Sequence, residues 1–329
     1  MLAVQIRKPG PPASHQLEEV TQPVPGPLQV VIDVKAAAVN YPDLLVATGL
    51  YQTRTPYPFT PGKDGAGVIR SVGAGVKRFK PGDRVLVHLE HGTFATQALS
   101  REDQCMPLPA GLDDVNAVSL GLAAQTAWFA LMERGGFEPG NVVLVNGATG
   151  AVGHAAVQIA AAMGGVVLAA ASSVPRARQM LEGVNCHFID LSAPDLRDSL
   201  REQVLAASGG KGADVIIDPL GADVFDASMR ALAWCGRIVS VGFAAGRIPQ
   251  VKANYLLVKN IAALGLQWTD YRDRQPWLVA KAHEALTGLW ERGHLRSHVM
   301  CTLPLVGFAQ ALELIESRKA TGRIVLTMD

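Results

Sequence analysis

Gly147, Gly150 and Gly153 follow the apolar run Val142 to Val145 and precede Val152, Ala155, Ala156, Ile159 and Met163, which recur at helical spacing. That order predicts a buried strand, a tight turn and a helix in succession. Glycine at the turn positions permits the bend, lets an anion approach the backbone and lets the helix lie close to its strand. Free N–H groups and the positive end of the helix dipole then face a diphosphate. Gly147, Ala148, Thr149, Gly150, Ala151, Val152 and Gly153 are therefore the candidate pyrophosphate cradle of a dinucleotide. The spacing is GxxGxxG, not the commoner GxGxxG, and its place between strand and helix carries the inference. Without a ligand, the same residues make a tight strand-to-helix turn.

NAD-selective sites place an acidic residue about twenty positions past the glycine turn, on the adenosine ribose. Here that stretch reads Ala171-Ser172-Ser173-Val174-Pro175-Arg176-Ala177-Arg178. Ser172, Ser173 and Arg176 suit a 2′-phosphate, because Arg pairs with phosphate in bidentate fashion and Ser donates a further hydrogen bond. The expected cofactor is NADPH. The plainer alternative is a serine that starts a helix beside solvated arginines.

These residues need a regular scaffold, and from about residue 123 the chain supplies one. Strand signals at Val142 to Val145, Val166 to Ala170, His187 to Ile189, Val215 to Ile217, Arg237 to Val241 and Ile261 to Leu264 alternate with helical segments such as Arg176 to Glu182 and Asp223 to Leu232. Continuous apolar strands belong to a parallel sheet covered on both faces, here a doubly wound one. Residues 1–122 read instead as short strands broken by Pro-Gly turns, an irregular β-rich domain. After Trp268 come helical patterns at Trp277 to Arg292 and Phe308 to Ser317 and a strand at Gly322 to Thr327. This tail is expected to return to the first domain, giving 1–122 plus 267–329 around an inserted 123–266, with the active site in the cleft.

The 329 residues allow two domains, and 49% hydrophobic content supports their cores. A net charge of +1, scattered along the chain, offers no basic patch for nucleic acid or an anionic membrane. Apolar runs look interrupted before bilayer-spanning length, and the N-terminus lacks an h-region, so a cytoplasmic protein is expected. Cys105, Cys186, Cys235 and Cys301 form no CxxC pair, which speaks against a zinc lobe or disulfide framework. His88-Leu89-Glu90-His91 reads as a solvated loop, with a metal site the lesser alternative.

Together these residues resemble the medium-chain dehydrogenase/reductase superfamily, and within it the zinc-free NADPH:quinone oxidoreductase branch. The likeness covers nearly the whole chain. It runs through Val39-Asn40-Tyr41-Pro42-Asp43, Gly49-Leu50-Tyr51, Pro61-Gly62-Lys63-Asp64-Gly65-Ala66-Gly67-Val68, Phe79 to Val85, the glycine turn, Asp214 to Gly221, Gly236 to Phe243 and Lys319 to Leu326. The resemblance implies a Rossmann doubly wound sheet inserted in a GroES-like catalytic domain, an α/β fold, and a homodimer joined through the sixth strand. It implies that Asn40 and Thr126 lie near the nicotinamide half of the cofactor, with the backbone of Val241, Gly242 and Phe243 beside the ring. Tyr41, Tyr51 and Trp268 would fall at the substrate pocket. Lys63 and Asp64 stand where zinc-dependent relatives carry His-Glu, and Asn40-Tyr41 stands where they carry a ligand Cys, so no metal is expected. Ala151 and His154 depart from the usual turn, and Leu191 replaces a Tyr that many relatives place near the 2′-phosphate.

Without a Lewis acid, alcohol oxidation is disfavoured. A quinone or conjugated carbonyl needs less help, because hydride addition spreads charge onto an oxygen that hydrogen-bond donors can stabilise. The leading expectation is reduction of a quinone. Alternatives are reduction of an activated C=C bond (enone, acrylate or enoyl thioester) and NADPH binding without significant turnover. The final proton comes from Tyr51, Tyr41 or water.

Overall fold

The computed structural model describes residues 1–52 and 55–328. In chain order the first elements are strands β1 (Leu2–Gln5), β2 (Gln16–Glu19) and β3 (Gln29–Val39), helix α1 (Tyr41–Thr48), and strands β4 (Asp64–Val72), β5 (Arg84–His88), β6 (Gln97–Arg101) and β7 (Cys105–Pro107). Helix α2 (Asp114–Phe129) leads to a regular alternation of β8 (Val142–Asn146), α3 (Ala151–Ala162), β9 (Val166–Ala171), α4 (Val174–Met180), β10 (His187–Asp190) and α5 (Leu196–Ala207). It continues with β11 (Ala213–Asp218), α6 (Ala222–Ala231), β12 (Leu232–Ser240), α7 (Ala253–Lys259) and β13 (Ala262–Gly265). The tail holds α8 (Trp268–Arg274), α9 (Pro276–Glu291), β14 (Val299–Pro304), α10 (Phe308–Glu316) and β15 (Arg323–Thr327).

Two compact units result. One contains Met1–Leu122, Tyr271–Ala280 and Ser297–Asp329, and the other Ala123–Asp270 and Lys281–Arg296. In the first, a seven-stranded sheet has the order β14-β15-β3-β4-β5-β7, with β6 pairing β3 off that path. Its core is apolar side chains of β3, β5 and β15 with Phe94 and Phe308. In the second, six parallel strands run β10-β9-β8-β11-β12-β13. All five residues of β8 are buried, as a strand covered on both faces requires. Strand order reverses at β8, so the crevice at its carboxyl end is where a doubly wound sheet takes a ligand.

Three features differ from the sequence expectations. Residues 267–270 and 281–296 group with the second unit; Gln158 explains the attachment of the latter, since its amide donates to the Arg296 carbonyl at 3.0 Å and accepts the Arg296 N–H at 2.9 Å. His88 is 1% exposed at the end of β5, in register with Asp64, and so is not in a solvated loop. One helical run among the described residues, Asp114–Arg134, is long and apolar enough by composition to cross a bilayer, with mean hydropathy 1.3. Gly, Ala and Thr do not interrupt such a run as a charge would. Of its apolar window 61% is buried inside the protein, the pattern of a core helix.

The end of β8 is tied to the rest of its sheet by a buried polar group. Asn146 donates from Nδ2 to Asp218 Oδ1 at 2.8 Å and to Ser228 Oγ at 2.9 Å, and all three residues are fully buried. Asp218 Oδ2 accepts the Gly221 N–H at 2.9 Å, and its carbonyl accepts the Val241 N–H at 2.8 Å. The turns after β8, β11 and β12 are thereby set relative to one another. Asn146→Ala is expected to leave the carboxyl short of a donor and to cost about 2–3 kcal/mol. That loss reads as a lower urea midpoint with an unchanged slope; an unmoved midpoint would mean that water replaces the amide.

Candidate functional site

In the second unit, Gly147 leaves β8 at φ +65°, a conformation that glycine adopts without strain. The Ala148 N–H donates to the Ala170 carbonyl at 2.9 Å, which lays the turn on the end of β9. A Cβ on Gly153 would lie 2.2 Å from the Gly147 carbonyl oxygen, so glycine there is what allows α3 to approach its strand. Gly150 is the N-cap of α3 and no side chain caps it, which leaves the first N–H groups of the helix for an incoming acceptor. Thr149 and Ala151 are half-buried, and Val152 is partly covered.

Ser172 and Ser173 are exposed at the end of β9, and Ser173 is the N-cap of α4. Arg176, half-buried, lies one turn into that helix. Because β9 neighbours β8, these side chains share the carboxyl edge of the sheet with the glycine turn. Arg178 points elsewhere, with its guanidinium 4.6 Å from the Phe188 ring centroid. Leu191 is anchored on the same edge, its N–H donating to the Ala171 carbonyl at 3.0 Å. Val241, Gly242 and Phe243 follow β12 and are half-buried; Ala244 N–H reaches the Pro219 carbonyl at 3.1 Å, folding this loop onto the turn after β11. Thr126 is half-buried in α2, and Trp268 is buried at 6% exposure.

His154 acquires a role that its sequence position did not reveal. Its Nε2 lies 3.1 Å from the Met180 carbonyl and its Nδ1 3.0 Å from the Gln158 amide. The carbonyl requires a proton on Nε2, so the neutral ring donates there and accepts from Gln158 at Nδ1. The imidazole therefore joins the first turns of α3, which follow the glycine turn, to the last residue of α4, the helix that carries Arg176.

In the first unit, antiparallel pairing brings Asn40, Asp64 and Arg323 together. Asn40 follows the last residue of β3, Asp64 opens β4 and Arg323 opens β15, and both strands flank β3. Asn40 Nδ2 donates to Asp64 Oδ1 at 2.7 Å, while Arg323 Nη2 donates to Asn40 Oδ1 at 2.9 Å. The Asn40 amide is thus engaged at both ends. Asp64 Oδ2 accepts the Leu122 N–H at 3.0 Å, a group freed because α2 breaks at Gly121 (φ −6°, ψ −111°). Burial pushes the Asp64 carboxyl above its ordinary range, against the pull of Arg323, the Leu122 N–H and Asn40; burial likewise lowers Arg323.

Tyr41 is 39% exposed at the start of α1. Asp43 is buried one position before Leu44 and accepts the Asn40 N–H at 2.8 Å, a structural part at the start of α1. Tyr51 is half-buried, its ring faced by the Lys63 ammonium at 4.6 Å. Sequence reasoning missed Asn146, Arg323, Glu90 and Arg272, because each acts through a partner far along the chain. Among the described residues, no three His, Cys, Asp or Glu side chains converge to hold a metal ion.

This architecture is shared with known proteins. Residues 26–133 match the alcohol dehydrogenase GroES-like domain, and residues 151–284 match the zinc-binding dehydrogenase domain. Quinone oxidoreductase-like protein 2 of Rattus norvegicus is 33% identical over 95% of this chain and 88% of its own. The chain belongs to the quinone oxidoreductase family of medium-chain dehydrogenases/reductases. Within that family, the quinone oxidoreductase of Sus scrofa is 32% identical over 100% of this chain and 98% of its own. The Escherichia coli quinone oxidoreductase complexed with NADPH superposes with a TM-score of 0.90 at 25% identity, covering 99% of this chain and 100% of that one.

The buried Asp43 yields a pH signature. Burial, opposed by Lys63 and the Asn40 N–H, raises its carboxyl from 3.8 to about 7. The native state then holds a proton that the unfolded chain releases. The stabilisation is complete below the ordinary Asp value and is lost as pH rises through about 7. Asp43→Asn keeps an oxygen for the Asn40 N–H and does not titrate. The stability of the wild type relative to this variant is expected to fall across that window, with a slope approaching about 1.4 kcal/mol per pH unit. Urea unfolding at a series of pH values checks it, and a difference that is flat with pH would contradict it.

Proposed function

We propose that the protein is an NADPH-dependent, zinc-independent oxidoreductase that transfers hydride to a quinone. The observation that carries the nucleotide part is the uncapped start of α3 packed against the Gly147 turn, on the same sheet edge as Ser172, Ser173 and Arg176. Those residues fit a diphosphate and a 2′-phosphate: helix N–H groups for the former, hydroxyls and a guanidinium for the latter. When bound, the nicotinamide supplies the hydride, and the protein's part is to orient the reactants and exclude competing chemistry. Val241, Gly242 and Phe243 would seat the ring by their backbone, and Tyr41, Tyr51, Thr126 and Trp268 would line the reacting end. Asn40, its amide committed to Asp64 and Arg323, would support that end of the site as a fixed structural residue.

Zinc-independence rests on the donor set. Lys63 and Asp64 occupy the positions of a His-Glu pair in zinc-dependent relatives; an ammonium has no lone pair for a metal, and Asp64 already accepts from Asn40 and Leu122. Acceptors that delocalise charge, quinones first and activated alkenes second, suit such a site. The relatives named quinone oxidoreductase support the quinone reading.

A single steady-state series tests these points. Turnover with NADPH is expected on a panel of benzoquinones and naphthoquinones and to be weak on an enoyl-CoA panel; the reverse would make activated alkenes the substrates, and saturable NADPH binding without oxidation on either would leave a binding protein. Catalytic efficiency should favour NADPH over NADH, and Arg176→Ala should erase most of that preference. An enzyme that already prefers NADH would overturn the cofactor assignment.

The homodimer is proposed on the free edge of β13, the last strand of the parallel sheet, with Leu257 and Val258 about three-quarters exposed on the preceding α7. Sedimentation equilibrium should give twice the chain mass for the wild type and a shift toward one chain mass for Leu257→Asp/Val258→Asp. A monomeric wild type would refute the assembly.

A further inference from the structure

Lys63 is 3% exposed, and the means by which the protein keeps a charge there are specific. The ammonium donates to Glu90 Oε1 at 2.8 Å and to the Glu90 carbonyl at 3.1 Å. It has three N–H donors; Glu90 takes two, and the negative face of the Tyr51 ring, 4.6 Å from Nζ to the centroid, receives the rest of the charge. Glu90 in turn lies 3.5 Å from Arg272 Nη2, and Arg272 is held by Asp273 at 2.8 Å. The carboxylates therefore leave the ammonium little freedom to move.

Tyr51 is differently constrained. Its backbone N–H donates to the Leu45 carbonyl at 3.0 Å, just past the end of α1. Among the described residues its hydroxyl makes no hydrogen bond, and the charged contact on its side chain is the Lys63 ammonium on its ring face. Pairing with Glu90 alone would satisfy Lys63 as a structural ion; contact with the ring adds something that pairing does not need.

We propose that Lys63 is a positioning residue for Tyr51: clamped by Glu90, it grips the phenol by its face and leaves the hydroxyl to donate a hydrogen bond to the acceptor oxygen as that oxygen gains negative charge. This rests on the reading that Tyr51 lines the acceptor pocket. The clamp also explains why a lysine is buried at this position without serving as a ligand or as an exposed charge.

The test combines kinetics with a signal that does not depend on turnover. Lys63→Gln keeps a donor for Glu90 without the charge, Lys63→Met removes both, and Lys63→Arg restores a cation. With NADPH and a naphthoquinone, Lys63→Gln should lower kcat/KM for the acceptor about tenfold, leave the NADPH Kd unchanged, and be largely rescued by Lys63→Arg. In a Tyr51→Ala background, Lys63→Gln should have no further effect. The fluorine resonance of 3-fluorotyrosine placed at position 51 should move in Lys63→Gln and Lys63→Met with neither cofactor nor acceptor present. Equal losses in both backgrounds, or an unmoved fluorine resonance, overturn the proposal. Unchanged acceptor kinetics in Tyr51→Ala alone would instead overturn the pocket reading, and the fluorine resonance would still decide whether Lys63 holds the ring.

Discussion

Burying a carboxylate is costly unless donors meet it, and each unit of this protein is organised around one such residue. Asp64 is fully enclosed at the start of β4, and Asp218 at the end of β11. Meeting Asp64 requires the Asn40 amide and a backbone N–H that α2 releases by breaking at Gly121. Arg323, opening β15, then closes on the other end of that amide. Meeting Asp218 requires Asn146 and the Gly221 N–H, which sets the turns around the carboxyl edge of the parallel sheet. The positions of the loops that matter for chemistry follow from satisfying these two groups.

The same demand accounts for charge elsewhere. Lys63 and Arg272 are both nearly enclosed; Lys63 turns to Glu90, which remains 30% exposed, and Arg272 to Asp273 at 2.8 Å with Glu90 at 3.5 Å. Pairing buried cations with partly hydrated carboxylates is less costly than desolvating both partners, because water still solvates the outer side of each carboxylate. The arrangement leaves positive charge against an aromatic ring, where the quadrupole offsets part of the lost hydration. In the second unit, neutral groups do comparable work: His154 and Gln158 bind the start of α3 to the end of α4 and to Arg296 without adding charge near the glycine turn.

Local signals were readable where one element contains its own reason. The glycine turn, the apolar β8 and the amphipathic spacing of α3 lie within some twenty residues, and backbone sterics at that range are nearly independent of the rest of the chain. The six parallel strands were readable for the same reason, since burial on both faces demands uninterrupted apolar runs. Strand β14, the short α1 and the burial of His88 were not. A strand that opens onto a partner from another part of the chain shows no periodicity of its own, and a histidine in register with Asp64 looks like any other polar residue.

The sequence by itself determined the α/β class, the glycine turn between β8 and α3, the serines and arginine that follow β9, and, through the order of its motifs, the family. It could do so because each of these is a pattern over neighbouring residues. Tertiary structure decided which polar side chains are committed and which are available. Asn40 meets Asp64 across 24 residues and Arg323 across 283, and Lys63 meets Glu90 across 27. Whether a carboxylate, an amide or an ammonium is spent on the fold or left for a ligand depends on desolvation and on donors brought from distant strands, and neither quantity exists until the sheet has formed.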